Sequence, residues 1–330
     1  MFRDKTLLVT GGTGSFGNRF TEIVVKDYSP KKIIIFSRDE LKQSKMARQF
    51  SDHPNVRFLI GDIRDKDRLY RAFEGVNIVI HSAALKQVPA CEYNPIEAIK
   101  TNINGAINII DAAIDQGIEK VIALSTDKAA SPINLYGATK LCSDKLFIQG
   151  NAYVGKKKTR FSVVRYGNVV GSRGSVVPLF MKLREKKVLP ITDKRMTRFW
   201  ITLDHGVQFV IDSLSRMSGG EIFVPKIPSM KITDLAKAIG PDCKLEYVGV
   251  RPGEKLHEVL IPEDEFRNAY EFDDHFVLPP SKDHTWLLEK TESAYYKSGK
   301  RCNDGSKYSS DSNDTWLNAK EIMNIIELKD

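Results

Sequence analysis

The stretch TLLVTGGTGSFG at residues 6–17 decides the fold of this chain. Its first five residues are apolar or β-branched, as in a buried strand, and a helical run follows its last glycine. Gly11, Gly14 and Gly17 are spaced so that the backbone can turn tightly and approach a pyrophosphate at the N-terminus of that helix. Because the glycines lie between a strand and a helix, the stretch predicts a dinucleotide-binding site.

Further apolar runs alternate with helical patterns through the first half of the chain. These runs occupy residues 32–36, 56–60, 76–82, 121–125 and 161–166. Between two of them, residues 95–116 place isoleucines three and four positions apart, which predicts an amphipathic helix covering the sheet. The alternation is typical of an α/β fold with a Rossmann-type, doubly wound parallel sheet.

The pattern changes after residue 167 to loops rich in glycine, proline and charge. We predict an NADP-binding Rossmann domain at residues 1–167, to which residues 200–225 return. Residues 168–199 and 226–330 are expected to form a smaller C-terminal substrate-binding region. Within it, the polar residues 298–314 predict either an ordered surface crossing or a mobile loop.

Composition limits the partners of the chain. It has 330 residues, of which 42% are hydrophobic, and a formal net charge of +8. The basic residues are scattered, so no nucleic acid partner is predicted, although a positive field favours an anionic nucleotide substrate. No apolar run reaches the roughly 18 residues of a membrane span, and the N-terminus leaves no room for a signal peptide. We therefore expect a cytoplasmic enzyme without a membrane or metal site.

Arg38 lies at the end of the second predicted strand, about 20 residues beyond the glycines. In dinucleotide-binding folds, the residue at this position contacts the adenosine ribose. A guanidinium binds a 2′-phosphate, whereas a carboxylate accepts from the 2′-hydroxyl of NAD. Arg38 therefore favours NADP, although the adjacent Asp39 leaves NAD open and Arg38 is also compatible with a solvated strand end. Asp62-Ile63 is compatible with adenine recognition, and Ala83-Ala84 is compatible with close approach of the backbone to the cofactor. Ordinary packing is the alternative for either pair.

Tyr136 and Lys140 form a YxxxK motif whose two side chains share one helical face. A lysine near a phenol favours the ionised form, so Tyr136 is expected to act as a general base for a sugar hydroxyl. Upstream, Asp127 and Lys128 follow a predicted strand and offer an acid and a base. A surface ion pair is the alternative for these two residues.

The glycine loop and the YxxxK pair resemble the extended short-chain dehydrogenase/reductase family. Residues 125–140, 165–177 (RYGNVVGSRGSVV), 192–200 and 251–258 (RPGEKLHE) narrow this to a resemblance to the inverting UDP-N-acetylglucosamine 4,6-dehydratases. Those enzymes begin pseudaminic acid biosynthesis in bacteria with glycosylated flagellins. The resemblance implies UDP-N-acetylglucosamine as substrate, tightly bound NADP that is regenerated in each cycle, and a homo-oligomer, either a dimer or a hexamer.

The resemblance also implies roles for the acid and the base. Lys128 takes the proton of sugar carbon 5 and delivers one to the opposite face, and Asp127 protonates the departing hydroxyl of carbon 6. Retaining relatives commonly carry Asp-Glu where this chain has Asp-Lys, which favours inversion. Because a lysine must be neutral to act as a base, we expect burial or cations such as Lys140 to lower the pKa of Lys128. We also expect Thr126, which precedes this pair, to be one of the catalytic residues.

The remaining contacts follow from the same resemblance. Those to the cofactor are Thr13, Ser15, Phe16, Ser37, Glu40, Leu41, Lys42, Gln43, Lys86, Ser125, Asn168 and Val169. Those to the substrate are Lys86, Asn168, Val169, Ser175, Val176, Val177, Pro178, Thr192, Arg198, Arg251 and Glu254. Arg198 and Arg251 are expected near the diphosphate and Glu254 near a ribose hydroxyl. A UDP-sugar 4-epimerase, a noncatalytic dinucleotide-binding regulator and a capsule-pathway inverting dehydratase remain alternatives.

Overall fold

The computed structural model describes residues 1–171, 176–280 and 295–327. Its largest element is a sheet whose first strands are β1 (Thr6–Thr10), β2 (Lys32–Ser37), β3 (Val56–Ile60), β4 (Ile78–His81), β5 (Lys120–Thr126) and β6 (Arg160–Tyr166). They are parallel and lie side by side in the order β3, β2, β1, β4, β5, β6. The order reverses between β1 and β4, as in dinucleotide-binding folds. The predicted doubly wound parallel sheet is confirmed.

Helices follow these strands and bury their apolar faces against the sheet. They are α1 (Ser15–Asp27), α2 (Glu40–Gln49), α3 (Lys66–Phe73), α4 (Val88–Tyr93), α5 (Pro95–Ile99), α6 (Gly105–Asp115) and α7 (Leu135–Gly150). Phe20 on α1, Phe73 on α3 and Phe147 on α7 are completely buried in this core. Asp39 and Asp65 accept hydrogen bonds from backbone N–H groups and so cap α2 and α3.

The helix predicted at residues 95–116 is present, but it is not a regular α-helix along its whole length. A π-helical segment, Lys100–Asn104, separates α5 from α6, and Ile96 is 65% exposed instead of covering the sheet. Asn102 in this segment bonds through its amide to both the N–H and the carbonyl of Leu85, at 2.9 Å each, and donates to Thr139 Oγ1 at 3.0 Å. Through Asn102, the π segment therefore connects the loop after β4 to α7. Such segments are frequent at functional sites.

The second half of the chain forms short strands and helices. The strands are β7 (Asn168–Val169), β8 (Val188–Ile191), β9 (Thr197–Ile201), β10 (Ile222–Pro225), β11 (Ser229–Lys231), β12 (Lys244–Tyr247), β13 (Val259–Ile261), β14 (Tyr270–Glu271), β15 (His275–Leu278), β16 (Lys300–Arg301) and β17 (Tyr308–Ser309). The helices are α8 (Val176–Leu183), α9 (Leu203–Arg216), α10 (Ile232–Ile239), α11 (Glu263–Phe266) and α12 (Ala319–Glu327). A second apolar core, which includes Phe180, Leu235 and Ile322, joins α8, α10 and α12.

The large sheet continues beyond β6. Strand β10 lies parallel to β6, and β15, β14 and β16 then add in antiparallel orientation to complete ten strands. Three strands that follow residue 226 therefore belong to the edge of this sheet, while the division of the chain into two functional domains stays a prediction. Within the described residues, no helix has the length and apolar character needed to cross a membrane.

Residues 298–314 form an ordered crossing, one of the two predicted possibilities. In this stretch β17 pairs with β13, and Tyr308, Ser309 and Ser310 are buried. The Ser310 N–H donates to the carbonyl of Glu258 at 2.8 Å. The side chains of Ser309 and Ser310 also make internal hydrogen bonds, to Glu258 and Thr197.

Candidate active site

A cavity of about 690 Å³ lies where the parallel strands end, at the reversal of strand order. The predicted residues that line it are Gly11, Thr13, Gly14, Ser15, Phe16, Ser37, Arg38, Asp39, Lys42, Asp62, Ile63, Ala83, Ala84, Lys86, Ser125, Thr126, Asp127, Lys128, Tyr136, Lys140, Asn168 and Val169. The strand ends thus bring the glycine loop, the Asp-Lys pair and the YxxxK motif together. Gln87 and Thr101 also line the cavity and were not predicted, and Tyr166 lines it from the block at residues 165–177 without a role having been assigned to it.

The glycine loop has the shape that a dinucleotide requires. Gly11 adopts a φ of +64°, and a Cβ added there would lie 2.8 Å from the Cα of Ala83. Gly14 is the N-cap of α1 and supplies no side-chain bond, so the first N–H groups of the helix lack a capping side chain. Gly17 faces Gly12 and serves close packing of helix on loop. The loop therefore fits a pyrophosphate.

The end of β2 places Arg38 at the cavity with its side chain 53% exposed and 3.5 Å from Asp62. The carboxylate of Asp39 is engaged by Lys42, since it accepts from the Lys42 N–H at 2.9 Å and from its Nζ at 2.5 Å. These hydrogen bonds lower the pKa of Asp39. The guanidinium is therefore better placed than the neighbouring carboxylate to meet an adenosine phosphate.

Three predicted cofactor residues on α2 lie outside the cavity lining. Glu40 and Leu41 are exposed in the first turn of the helix. Gln43 is buried, and its Nε2 donates to the carbonyls of Ser37 and Leu59 at 2.9 Å each. Its side chain therefore joins the ends of β2 and β3.

The Asp-Lys pair lies in a 3-10 turn, Asp127–Ala129, directly after β5. Thr126 Oγ1 donates to Asp127 Oδ1 at 2.8 Å, and Lys128 Nζ donates to the same oxygen at 3.1 Å. Asp127 is only 1% exposed, and its Oδ2 has no hydrogen-bond partner among the described residues. The alternative of a solvated surface pair is therefore wrong, and Asp127 keeps one oxygen for a proton or a ligand.

The prediction that the pKa of Lys128 is lowered is wrong. Burial does lower it, but the carboxylates of Asp127 and Glu258 act in the opposite direction and raise the pKa of Lys128 above its usual value. Glu258 Oε1 lies 3.3 Å from Lys128 Nζ. The expectation failed because it left out both carboxylates: Asp127 adjoins Lys128 in sequence and has the larger effect, and Glu258 comes from a distant part of the chain.

Tyr136 begins the YxxxK face of α7, whose N-cap Asn134 accepts from the Gly137 N–H at 2.8 Å. Burial raises the pKa of Tyr136 to about 12, while Lys128 and a hydrogen bond with Thr126 act to lower it. The cation that favours the phenolate is thus Lys128, and the effect predicted for Lys140 is wrong. The protein alone carries a neutral phenol at this position.

Lys140 is buried above a network of charged side chains. Burial lowers its pKa, and the nearby Asp144 opposes this effect. Asp144 Oδ2 accepts from Ser125 Oγ at 2.7 Å and lies 3.5 Å from Arg165, whose Nη1 donates to Glu265 at 2.7 Å. The network holds Lys140 and the end of β5 in register, and the sequence analysis did not identify it.

The predicted substrate residues are only partly brought together. Lys86, Asn168 and Val169 line the cavity, and burial lowers the pKa of Lys86. Val176, Val177, Pro178, Thr192, Arg198, Arg251 and Glu254 do not line it, and Ser175 lies outside the described residues. Val176 and Val177 belong to the second apolar core, and Arg251 is exposed.

Arg198 is only 8% exposed and is held by protein groups instead of facing the cavity. Its Nη1 donates to the carbonyls of Thr197 at 2.7 Å and Leu256 at 3.0 Å. Its Nη2 lies 3.4 Å from Glu254 and its Nε 3.7 Å from Glu258. Arg198 therefore connects the predicted substrate region to the carboxylate beside Lys128.

Comparison with known proteins agrees with this arrangement. A model of the family of polysaccharide biosynthesis proteins matches residues 7–280. A Campylobacter jejuni protein named UDP-N-acetylglucosamine 4,6-dehydratase (inverting) is 55% identical over 333 residues, which cover 99% of this chain and 98% of that protein. A Rickettsia canadensis protein named UDP-glucose 4-epimerase is 44% identical over 84% of each chain.

Among solved structures, the X-ray structure of Pen from Bacillus thuringiensis superposes with a TM-score of 0.89 at 38% sequence identity. The match covers 100% of this chain and 98% of that one. The chain therefore belongs to the family of polysaccharide biosynthesis proteins and, within it, to the family of the inverting UDP-N-acetylglucosamine 4,6-dehydratases.

Proposed function

We propose that this chain is an NADP-dependent lyase that dehydrates UDP-N-acetylglucosamine with inversion at carbon 5. The product is UDP-2-acetamido-2,6-dideoxy-β-L-arabino-hexos-4-ulose. The observation that carries the proposal is the ion pair of buried Asp127 with half-buried Lys128, in the cavity that also contains Tyr136 and the glycine loop. The name of the 55% identical Campylobacter jejuni protein supports the same reaction.

The cavity residues support the following assignment of the cofactor site and the sugar site. Gly11, Gly14 and the N-terminus of α1 would hold the pyrophosphate, and Arg38 would hold the adenosine 2′-phosphate. NADP supplies, when bound, an acceptor for hydride from carbon 4 that later returns the hydride to carbon 6. Tyr136 takes the proton of the carbon 4 hydroxyl after its own phenol proton has been lost, a loss that the positive charge of an oxidised nicotinamide would favour, and Lys140 would bind the nicotinamide ribose.

The Asp-Lys pair provides the acid and the base that elimination needs. One proton passing from Lys128 Nζ to Asp127, across the 3.1 Å hydrogen bond, makes a neutral amine and a carboxylic acid together. The amine then takes the proton of carbon 5, which the ketone at carbon 4 has acidified. The acid protonates the hydroxyl that leaves carbon 6 as water. Lys128, now an ammonium, returns a proton to carbon 5 on the opposite face.

A UDP-sugar 4-epimerase is the second candidate, because the Rickettsia canadensis protein with that name is 44% identical to this chain. Epimerisation at carbon 4 needs Tyr136, Lys140 and a dinucleotide but no acid and base at carbons 5 and 6. The burial of Asp127 and its contact with Lys128 therefore favour dehydration.

Three finer assignments complete the proposal. The product enters pseudaminic acid biosynthesis for flagellin or surface glycans, the enzyme works in the cytoplasm, and it assembles as a homo-oligomer, either a dimer or a hexamer. The resemblance of the blocks at residues 165–177 and 251–258 supports the pathway. A capsule pathway that uses the same inverting chemistry is the alternative. Light scattering on the purified protein tests the assembly.

The test is NMR of the purified protein with UDP-N-acetylglucosamine in deuterated water, without added cofactor. We expect a 6-deoxy-4-keto sugar with deuterium at carbon 5 and the L-arabino configuration. A retained configuration would contradict the role of Lys128. A 4-epimer without any 6-deoxy product would establish the second candidate.

A further inference from the structure

Glu258 is a buried carboxylate that contacts the base of the proposed reaction from the other half of the chain. It precedes β13 and is 2% exposed. Its Oε1 lies 3.3 Å from Lys128 Nζ and 3.7 Å from Arg198 Nε, and its Oε2 has no hydrogen-bond partner among the described residues. A carboxylate is costly to bury unless cations compensate its charge, so the buried Glu258 requires the neighbouring Lys128 and Arg198.

The backbone of Glu258 is fixed on both sides. Its N–H donates to Ser310 Oγ at 2.9 Å, and its carbonyl accepts from the Ser310 N–H at 2.8 Å and from Ser309 Oγ at 3.3 Å. Ser310 Oγ also bonds to Thr197 Oγ1 at 2.7 Å. The crossing that contains β17 therefore holds this carboxylate against the catalytic turn.

We infer that Glu258 is a positioning residue for proton transfer at carbon 5, an inference that rests on the function proposed above. Its carboxylate orients Lys128 Nζ and stabilises the ammonium that forms when Lys128 takes the proton. In that step the bond between carbon 5 and its proton breaks, a bond from the proton to Nζ forms, and the electron pair enters the enolate at carbon 4. Glu258 remains ionised throughout and exchanges no proton.

The charged groups around Lys128 determine what the removal of Glu258 does. Asp127 comes from its own turn, Tyr136 from α7, Arg198 from β9, and Glu258 and Lys255 from the segment before β13. Lys255 Nζ donates to the carbonyl of Ala130 at 2.6 Å, and it lies close enough to Glu258, Asp127 and Lys128 to interact with their charges. Asp127 and Glu258 are thus the two groups that raise the pKa of Lys128, and loss of either charge lowers it.

The first measurement isolates the step at carbon 5. The 6-deoxy-4-keto product made by the wild type is incubated at saturating concentration with each variant in deuterated water, and loss of the carbon 5 proton is followed by NMR. We expect Glu258→Gln to slow this exchange about 100-fold, because Nζ loses its orientation. Glu258→Asp, which keeps the charge on a shorter side chain, should recover part of the rate.

The second measurement reports on the charge of Lys128 without any turnover. Lysine labelled with ¹³C at Cε is titrated by NMR, and the Lys128 signal is assigned by its loss in Lys128→Arg. We expect Lys128 in Glu258→Gln to titrate about one pH unit or more below the wild type, with Glu258→Asp closer to the wild type. If Glu258 had only a structural role, Lys128 would titrate at the same pH in Glu258→Gln as in the wild type.

Glu221 offers a matched control for Glu258. It is also a glutamate with 2% exposure, and it accepts from Ser162 Oγ at 2.6 Å and the Ser218 N–H at 2.8 Å. Glu221→Gln should lower stability yet leave the titration of Lys128 unchanged. Wild-type exchange and titration in Glu258→Gln would overturn the inference, whereas failure of the wild type to form the 6-deoxy product would overturn the proposed function alone.

Discussion

Replacing Gly137 with alanine tests whether α7 sets the position of the catalytic turn. A methyl carbon at this position would lie 3.0 Å from the carbonyl carbon of Lys128, closer still to its oxygen, and 3.1 Å from Pro132 Cβ. Ordinary contacts of this kind lie at 3.4–4 Å. The turn that carries Asp127 and Lys128 must therefore move by roughly 1 Å, a displacement that can cost about 100-fold in rate.

The same substitution also has a cost in stability. Alanine is favoured over glycine within a helix by about 1 kcal/mol, but overpacking at a tight contact costs about 1–3 kcal/mol. We expect Gly137→Ala to lower the free energy of unfolding by about 1 kcal/mol, from the middle of those ranges, and to slow exchange at carbon 5 about 100-fold. Urea unfolding and NMR exchange in deuterated water measure the two effects.

Gly206 in α9 provides the control, because a methyl carbon there meets only Ile201 Cδ1, at 3.8 Å. Gly206→Ala should therefore stabilise the protein by about 0.5–1 kcal/mol and leave the exchange rate unchanged. If Gly137→Ala behaved in the same way, the close contact of α7 with the turn would not constrain catalysis, and the reasoning would be refuted.

Three further predictions concern single side chains of the cavity. Lys128→Ala should abolish formation of the 6-deoxy product while cofactor binding, measured by fluorescence titration, persists; substantial turnover would contradict its role as the base. Arg38→Ala should weaken NADP binding about 10- to 100-fold and NAD binding little, since one charged hydrogen-bonding group is lost; equal losses for both dinucleotides would remove the argument for NADP. Because burial raises the pKa of Tyr136 to about 12, its phenol stays neutral below that pH, and the absorbance difference between wild type and Tyr136→Phe should show no tyrosinate below about pH 10; a difference that titrates near neutrality would contradict this.

Local patterns allowed much of the fold to be predicted. Each parallel strand is an apolar run bounded by turn residues, and in a parallel sheet such runs end at one edge. The glycine loop, Asp127, Lys128 and Tyr136 each follow or lie near a strand end, so their convergence on one cavity could be expected. The π segment could not be predicted, because the isoleucine spacing on both sides of it is helical and its stabilising contact, between Asn102 and Leu85, is tertiary.

The electrostatics of the site were harder to predict from the sequence than its location. The error on the pKa of Lys128 arose because the carboxylates of Asp127 and Glu258 were not weighed against burial. The error on the pKa of Tyr136 arose because Lys140, its neighbour on the helix, was taken to determine the local field. Glu258 lies 130 positions from Lys128, and the block at residues 251–258 indicated it only as a carboxylate directly before a short apolar run. Such a carboxylate is ordinarily a solvated strand end, but here β13 pairs with β17, and Glu258 is 2% exposed beside Lys128 and Arg198.

The charge balance of the cluster explains how a lysine with a raised pKa still serves as a base. Asp127, Glu258 and Glu254 are opposed by Lys128 and Arg198, so these five groups together carry a charge of −1. A proton that moves from Lys128 to Asp127 leaves that total unchanged and leaves Glu258 compensated by Arg198. The transfer therefore avoids the cost of an isolated buried charge, which a proton lost to solvent would incur. Dehydration needs a neutral amine and a carboxylic acid at the same time, and this internal transfer produces both from the resting ion pair.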